Sequence, residues 1–197
     1  MSFEAAAATA TPSRPSDGQL LERAARGDVD AFDELLIPRL DRLFRMAVAI
    51  TRSEADARDA VQDASVLAWR QLPRLRDRSR FDAWLSKILV NACRGMVRRQ
   101  RRVRHHESEM DPTEPGNAGD RAFAVPAAAD SLGEIQAIQH AFKRLDPTSR
   151  ALIVLHYVEG RPLAEISRVL GSPVGTVKWR LSNARRALDR ALEVERR

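Results

Sequence analysis

Apolar positions recur at three- and four-residue spacing through two long stretches of the chain, and strand-like alternation is absent. Leu20, Leu21, Ala24 and Ala25 open the first helical pattern, which Gly27 stops. Asp28 or Asp30 can cap a second helix carrying Phe32, Leu35, Leu36, Leu40, Leu43, Phe44, Ala47 and Ile50. Pro38 within it predicts a kink or a break, because proline lacks the N–H and crowds the preceding turn. Ser53, with Asp56 three residues on, caps a third helix whose stripe is Ala57, Ala60, Val61, Ala64, Leu67, Ala68 and Leu72. A basic loop from Pro73 to Arg80 follows. Ser79 and Asp82 then look like the cap of a fourth helix, with Phe81, Trp84, Leu85, Ile88, Leu89, Ala92 and Val97 facing a core.

Periodicity dissolves between residues 105 and 130, where proline, glycine, acids and small residues dominate, as in an interdomain linker. It returns at Ser131, which with Glu134 forms a capping box ahead of Leu132, Ile135, Ile138, Ala141, Phe142 and Leu145. Asp146 caps the next helix and Pro147 takes its first position. Leu152, Ile153, Leu155, His156 and Val158 follow, up to Gly160; His156 there suits a satisfied core or hairpin histidine. Leu163, Ile166, Val169 and Leu170 stripe a short helix ended by Gly171. Ser172 can cap the last helix, with Pro173 at its first position and Val174, Val177, Leu181, Ala184 and Leu188 inward. Its opposite face carries Gly175, Trp179, Ser182, Asn183 and Arg186, flanked by Lys178, Arg180 and Arg185. A short helix, a tight glycine turn and a longer helix with a basic outer face are the parts of a helix-turn-helix DNA reader. An ordinary helical hairpin with a solvated face has the same spacing. The pattern predicts an all-α chain: a disordered tail over 1–16, a helical domain over 17–104, a flexible linker over 105–130 and a helix-turn-helix domain over 131–197.

Charge favours the DNA reader. The 197 residues carry a formal charge of +6 and a pI near 10.5, which suits a polyanionic partner. Nearly all of the basic excess is arginine, with Lys87, Lys143 and Lys178 the only lysines. Arg98, Arg99, Arg101, Arg102 and Arg104 crowd the end of the fourth helix, more than a helix C-terminus needs for capping, so phosphate binding is the stronger reading there. Asp59, Gln62, Asp63 and Arg70 mark the outer face of the third helix, which by composition alone is a solvated face. Trp84 reads as core and not as a stacking platform, given its apolar neighbours.

Enzyme chemistry finds little footing. The chain has no P-loop, no glycine-rich phosphate cradle and no Cys/His nucleophile pair. Cys93 is its only cysteine, so an internal disulfide and a cysteine-based zinc site are excluded. His105 and His106 are a poor beginning for a metal site, and neither a cofactor nor a metal is expected. Residues 1–16 lack the marks of a signal peptide, and no apolar run approaches membrane-spanning length. A cytoplasmic protein without membrane insertion is expected.

Three segments in order resemble bacterial RNA polymerase sigma factors of the extracytoplasmic-function class, a resemblance that covers about residues 18–104 and 131–193. Asp56-Ala57-Arg58-Asp59-Ala60-Val61-Gln62-Asp63, followed by Ala68-Trp69, is similar to that family's polymerase-binding segment. Phe81-Asp82-Ala83-Trp84-Leu85, Ile88, Asn91 and the arginine run are similar to its −10 promoter segment. Gly160, Ala164-Glu165-Ile166, Leu170-Gly171, Pro173-Val174-Gly175-Thr176-Val177-Lys178 and Arg180-Leu181 are similar to its −35 reader.

The resemblance implies a promoter-specificity subunit and not a catalyst. Its polymerase-binding residues would be Asp56, Asp59, Gln62 and Asp63, set on the clamp helices of the largest polymerase subunit. Its −10 residues would be Arg76, Asp77, Arg78, Ser79, Arg80, Trp84, Asn91, Arg98, Arg99, Arg101 and Arg102. Thr176, Lys178, Trp179, Arg180, Ser182, Asn183 and Arg186 would meet the −35 major groove. Core RNA polymerase, promoter DNA and an anti-sigma factor are the implied partners, and the linker would thread toward the polymerase cleft. Ala60 and Ser65 are small where larger apolar residues are common, Gly95 replaces a usual acid, and Pro162 replaces a serine-type cap. Gly95 suggests close approach of another backbone. A stand-alone helix-turn-helix regulator is the rival reading, but it leaves the Asp56–Trp69 and Phe81–Arg104 segments without a purpose.

Overall fold

The computed structural model describes residues 15–110 and 132–195. Residues 1–14, 111–131 and 196–197, and the side chains of 101, 103–110, 132, 194 and 195, lie outside the described residues. The expected tail and linker, the Ser131 cap and the Arg101 and Arg104 side chains therefore fall largely outside this description. Every described element is helical: α1 (Asp17–Ala25), α2 (Val29–Thr51), α3 (Glu54–Gln71), α4 (Phe81–Met110), α5 (Leu132–Arg144), α6 (Pro147–Ile153), α7 (Leu163–Leu170) and α8 (Val174–Glu195).

Local chemistry sets most boundaries. Ser16 and Gln19 form a reciprocal capping box at α1. Asp28, not Asp30, caps α2 by accepting from the Ala31 amide at 3.0 Å. That hydrogen bond and the adjacent Arg23 hold its carboxyl below the usual range. α2 runs through Pro38 without a break, so the second of the two outcomes expected there does not occur. Buried Leu35, Leu36, Leu43 and Met46 clamp it on both sides of the proline, and the Arg39 guanidinium donates to the Leu35 carbonyl at 2.6 Å. Ser53 caps α3 as expected.

The buried side of α3 consists of Ala57, Ala60, Ala64 and Ala68. Such short side chains let α3 lie close to α2 and α4, which accounts for the small residue at position 60. Ser65 turns its hydroxyl back onto the Val61 carbonyl at 2.7 Å. Leu67, expected in the core, is instead 43% exposed.

α4 departs from expectation at both ends. A 3₁₀ turn over Arg78–Arg80 leads directly into Phe81, so Ser79 does not cap; its hydroxyl donates to Asp77 at 2.6 Å. Asp82 is engaged by Arg39 at 2.7 Å and Arg42 at 3.2 Å. The helix continues to Met110, past the expected end at Arg104, so residues 105–110 are helical where an irregular chain was expected. Ser86, Val90, Cys93 and Met96 are buried in addition to the anticipated stripe. The second buried side arises because α4 also packs against α6 and α7.

In the C-terminal block, Asp146 caps α6 by accepting from the Thr148 and Ser149 amides, with Pro147 at the first position. The helix widens into a π turn over Val154–Val158 and stops at Gly160, whose φ is 65°. His156 is satisfied there, its Nδ1 lying 3.2 Å from the Arg161 carbonyl. Gly171 adopts the left-handed conformation (φ 63°, ψ 36°) at the end of α7, where any side chain would be strained. Pro173 takes the cap position, one residue earlier in the helix than expected, and its carbonyl accepts from the Val177 amide at 3.0 Å. Val177 and Ala184 seat α8, whereas Val174 is 38% exposed and outside the expected stripe. Buried residues of both blocks, Leu20 through Val177, share one continuous apolar cluster.

Candidate functional site

Three surfaces collect the residues singled out by sequence. On α3, Asp59, Gln62 and Asp63 are exposed side by side on the face away from the alanine seam. Asp56 is set apart from them: half-buried, it accepts from the Gln100 amide of α4 at 2.6 Å. It ties the start of α3 to the basic end of α4 and is not an open contact. Nearby Cys93 is fully buried, and burial pushes its thiol up to about 12, with the Asp56 charge adding to the effect.

Between α3 and α4 lies a groove of about 580 Å³ lined by Gln62, Asp63, Val66, Leu67, Arg70, Trp84, Lys87 and Asn91, among others. It unites two expected polymerase-binding residues with two expected −10 residues. Trp84 packs against Phe81 at 5.9 Å between ring centroids and shows its remaining surface to this groove. Val66, Leu67, Arg70 and Lys87 were not singled out as site residues. The signal for Leu67 was present but pointed to the core, since its spacing also fits the buried stripe.

The loop ahead of α4 is exposed throughout its basic part. Arg76 faces solvent, whereas Arg78 donates to Glu22 at 2.9 Å and Arg80 pairs with Asp77 at 2.9 Å. Exposed pairs of this kind are worth little and exchange readily for a phosphate. Burial would raise the Asp82 carboxyl, but Arg39, Arg42 and Arg161 together hold it below the ordinary carboxylate range. Arg98, Arg99 and Arg102 are exposed along α4. Gly95 does not serve close approach within the fold, because a Cβ built there meets nothing within 4 Å.

On α8, Thr176, Lys178, Trp179, Ser182 and Arg186 are exposed, Trp179 to 63%. Asn183 is half-buried and accepts from Arg186. Arg180 leaves this face and turns toward Asp146, 3.9 Å away, with its Nε buried and unpartnered among the described residues. Burial would raise the Asp146 carboxyl, but hydrogen bonds from Ser149 and Thr148, with Arg180 beyond them, keep it below the usual range. Among the described residues no cluster of three or more His, Cys, Asp or Glu side chains could hold a metal, and no helix is long and apolar enough to cross a membrane.

A helix-turn-helix carried on the same chain as an arginine-ended helix and an acidic helix face suits a protein of transcription. Comparison with known proteins makes this specific. Residues 36–103 match the family described as Sigma-70 region 2, and residues 135–188 match Sigma-70, region 4. The RNA polymerase sigma-H factor of Pseudomonas aeruginosa is 32% identical over 181 residues, covering 90% of this chain and 94% of that protein. The ECF RNA polymerase sigma factor SigM of Mycobacterium tuberculosis is 35% identical over 177 residues, covering 90% and 85%. The structure of CnrH in complex with the cytosolic domain of CnrY aligns with a TM-score of 0.61 at 28% identity, covering 91% of this chain and 99% of that one. The chain belongs to the sigma-70 family of RNA polymerase sigma factors, in the extracytoplasmic-function class.

Proposed function

We propose that this sigma factor divides its work between two modules, residues 17–104 and 131–197, and takes no catalytic part itself. Asp59, Gln62 and Asp63 dock on the clamp helices of core RNA polymerase, with Asp56 positioning α4 through Gln100. Arg76 to Arg80, Trp84 and Asn91 hold unstacked bases of the −10 element, while Arg98, Arg99, Arg101 and Arg102 neutralise neighbouring phosphates. Thr176, Lys178, Trp179, Ser182, Asn183 and Arg186 read the −35 major groove. Arg180 helps through the α6 cap more than by touching bases.

The observation that carries the reading is the groove between α3 and α4, where Gln62 and Asp63 meet Trp84 and Asn91. One helix pair thereby couples attachment to polymerase with capture of a base. Run-off transcription with core polymerase tests it. Asp59→Ala/Gln62→Ala/Asp63→Ala should lose core binding, and Trp179→Ala should retain core binding yet lose −35-dependent product. Promoter-specific product from the triple variant at wild-type yield would overturn the assignment.

The sigma factor RpoE of Bartonella quintana, seen in complex with the anti-sigma factor NepR, aligns with a TM-score of 0.63 at 26% identity over 83% of this chain and 97% of that one, and this likeness supports an anti-sigma partner for this chain. The absence of a membrane-crossing helix among the described residues accords with a cytoplasmic site of action.

A further inference from the structure

The outer face of α8 carries an indole that the fold hardly uses. Trp179 is 63% exposed, so burial within the chain accounts for little of it. As the sixth residue of α8 it stands in the N-terminal part of the helix, the part of a recognition helix that meets base edges. A helical side chain leans over the turn before it, which for Trp179 holds Gly175 and Thr176. Gly175 puts no side chain there, and a Cβ built on it meets nothing within 4 Å. The turn in front of the indole is therefore bare.

The arginines near Trp179 are already engaged. Arg180 turns away toward Asp146, 3.9 Å distant, and Arg185 pairs with Asp189 at 3.6 Å. Arg186, two turns further along, donates to Asn183. Lys178 and Ser182 stand exposed on either side, Lys178 as a compact cation suited to a phosphate. Among the described residues of α8, no open arginine fork, the usual reader of guanine, lies beside the indole.

We infer, resting on the −35 reading proposed above, that Trp179 selects thymine at one position of the −35 element by packing its indole against the C5-methyl group of that base. Each base shows a different edge in the major groove. Guanine presents two acceptors, adenine an acceptor and a donor, cytosine a donor, and thymine an acceptor beside a methyl group. An indole has an apolar body, one N–H donor and no acceptor. Adenine and cytosine set an amino donor against a side chain that cannot accept it, so that donor loses its water without a replacement. Guanine satisfies the N–H but lays polar atoms along the apolar ring. Thymine matches both halves, its O4 facing the N–H and its methyl group facing the ring.

Selection from promoter duplexes randomised across the −35 region tests this, using holoenzyme reconstituted from the full chain and core RNA polymerase. Wild type should enrich thymine at one position. Trp179→Ala should lose the preference there and keep the others, at unchanged circular dichroism, because the side chain it removes is exposed. Trp179→Phe keeps an apolar ring without the N–H, so it should still favour thymine but less sharply. A second measurement uses wild type alone. Replacing the selected thymine by deoxyuridine removes only the methyl group and should weaken binding about fourfold, the worth of one buried methyl; Trp179→Ala should not respond to the exchange. Equal wild-type affinity for the two bases would overturn the inference, as would a base other than thymine at the position that Trp179→Ala releases. An element that wild type and Trp179→Ala select identically would also overturn it, while leaving the −35 reading intact. If wild type enriches no element at all, the −35 reading fails and the thymine assignment fails with it.

Discussion

Replacing Arg98, Arg99 and Arg102 together with alanine should flatten the salt dependence of promoter binding by the polymerase holoenzyme. All three are exposed on one α4 segment, and none lies in the apolar cluster, so helix α4 should survive the change. Each phosphate neutralised contributes about 0.7 to the logarithmic salt slope on single strands and about 0.9 on duplex. Three contacts are then worth about 2 to 3 units of slope. Between 50 and 200 mM salt, wild-type affinity should fall about 20- to 40-fold more than that of the variant. Fluorescence anisotropy of a labelled promoter fragment, titrated with reconstituted holoenzyme across that range, measures both slopes. A variant slope equal to that of wild type, with intact core binding, would refute phosphate contact by this segment and return the arginines to a solubility role.

Gly95→Ala should raise stability by about 0.8–1 kcal/mol through helix propensity, since its Cβ meets no neighbour; thermal unfolding measures it, and a lowered midpoint would contradict the open space seen there. Asp146→Ala should cost about 1 kcal/mol by removing the α6 cap. The Asp146 carboxyl sits below its ordinary 3.8, so its stabilising effect is complete above that pH and is lost as pH falls through the lower folded value. Denaturant titrations at pH 7 and near pH 3 should show the penalty of the variant shrinking on the acid side, and a growing penalty would contradict that sign. Cys93 should resist a thiol reagent at pH 8 in the native protein and react only on unfolding, because its thiol is buried and held protonated up to about 12; rapid stoichiometric labelling under native conditions would count against this.

Helix existence and most caps were legible in the sequence because they depend on neighbours within four residues. Ser53, Asp28 and Asp146 cap where their spacing says they should, and Gly171 turns the chain where a side chain could not. The misreadings have a different origin. Pro38 was outweighed by packing on either side, and Ser79 lost its capping role to a 3₁₀ turn. Leu67 satisfies the helical period of α3, but alanines alone fit the close contact, so the leucine falls outside it. Ser86 and Val90 are buried by elements met only some 70 residues later, which no local window contains. Buried Arg150 and Arg161 look like any other arginines in a basic chain until the modules are seen together. The exposed polar face of α8 was legible from one helix's periodicity, whereas the groove shared by α3 and α4 needed two helices and was not.

The alanine seam of α3 has a consequence for the entropy of binding. Ala57, Ala60, Ala64 and Ala68 have no rotamers to exchange, so the height and roll of α3 above the core are fixed by backbone contact. Asp59, Gln62 and Asp63 therefore stand on a stiff mount, and docking them needs to freeze only their own side chains. A face prepared in this way would lose little entropy on the association proposed for it, which would strengthen that docking without any added contact.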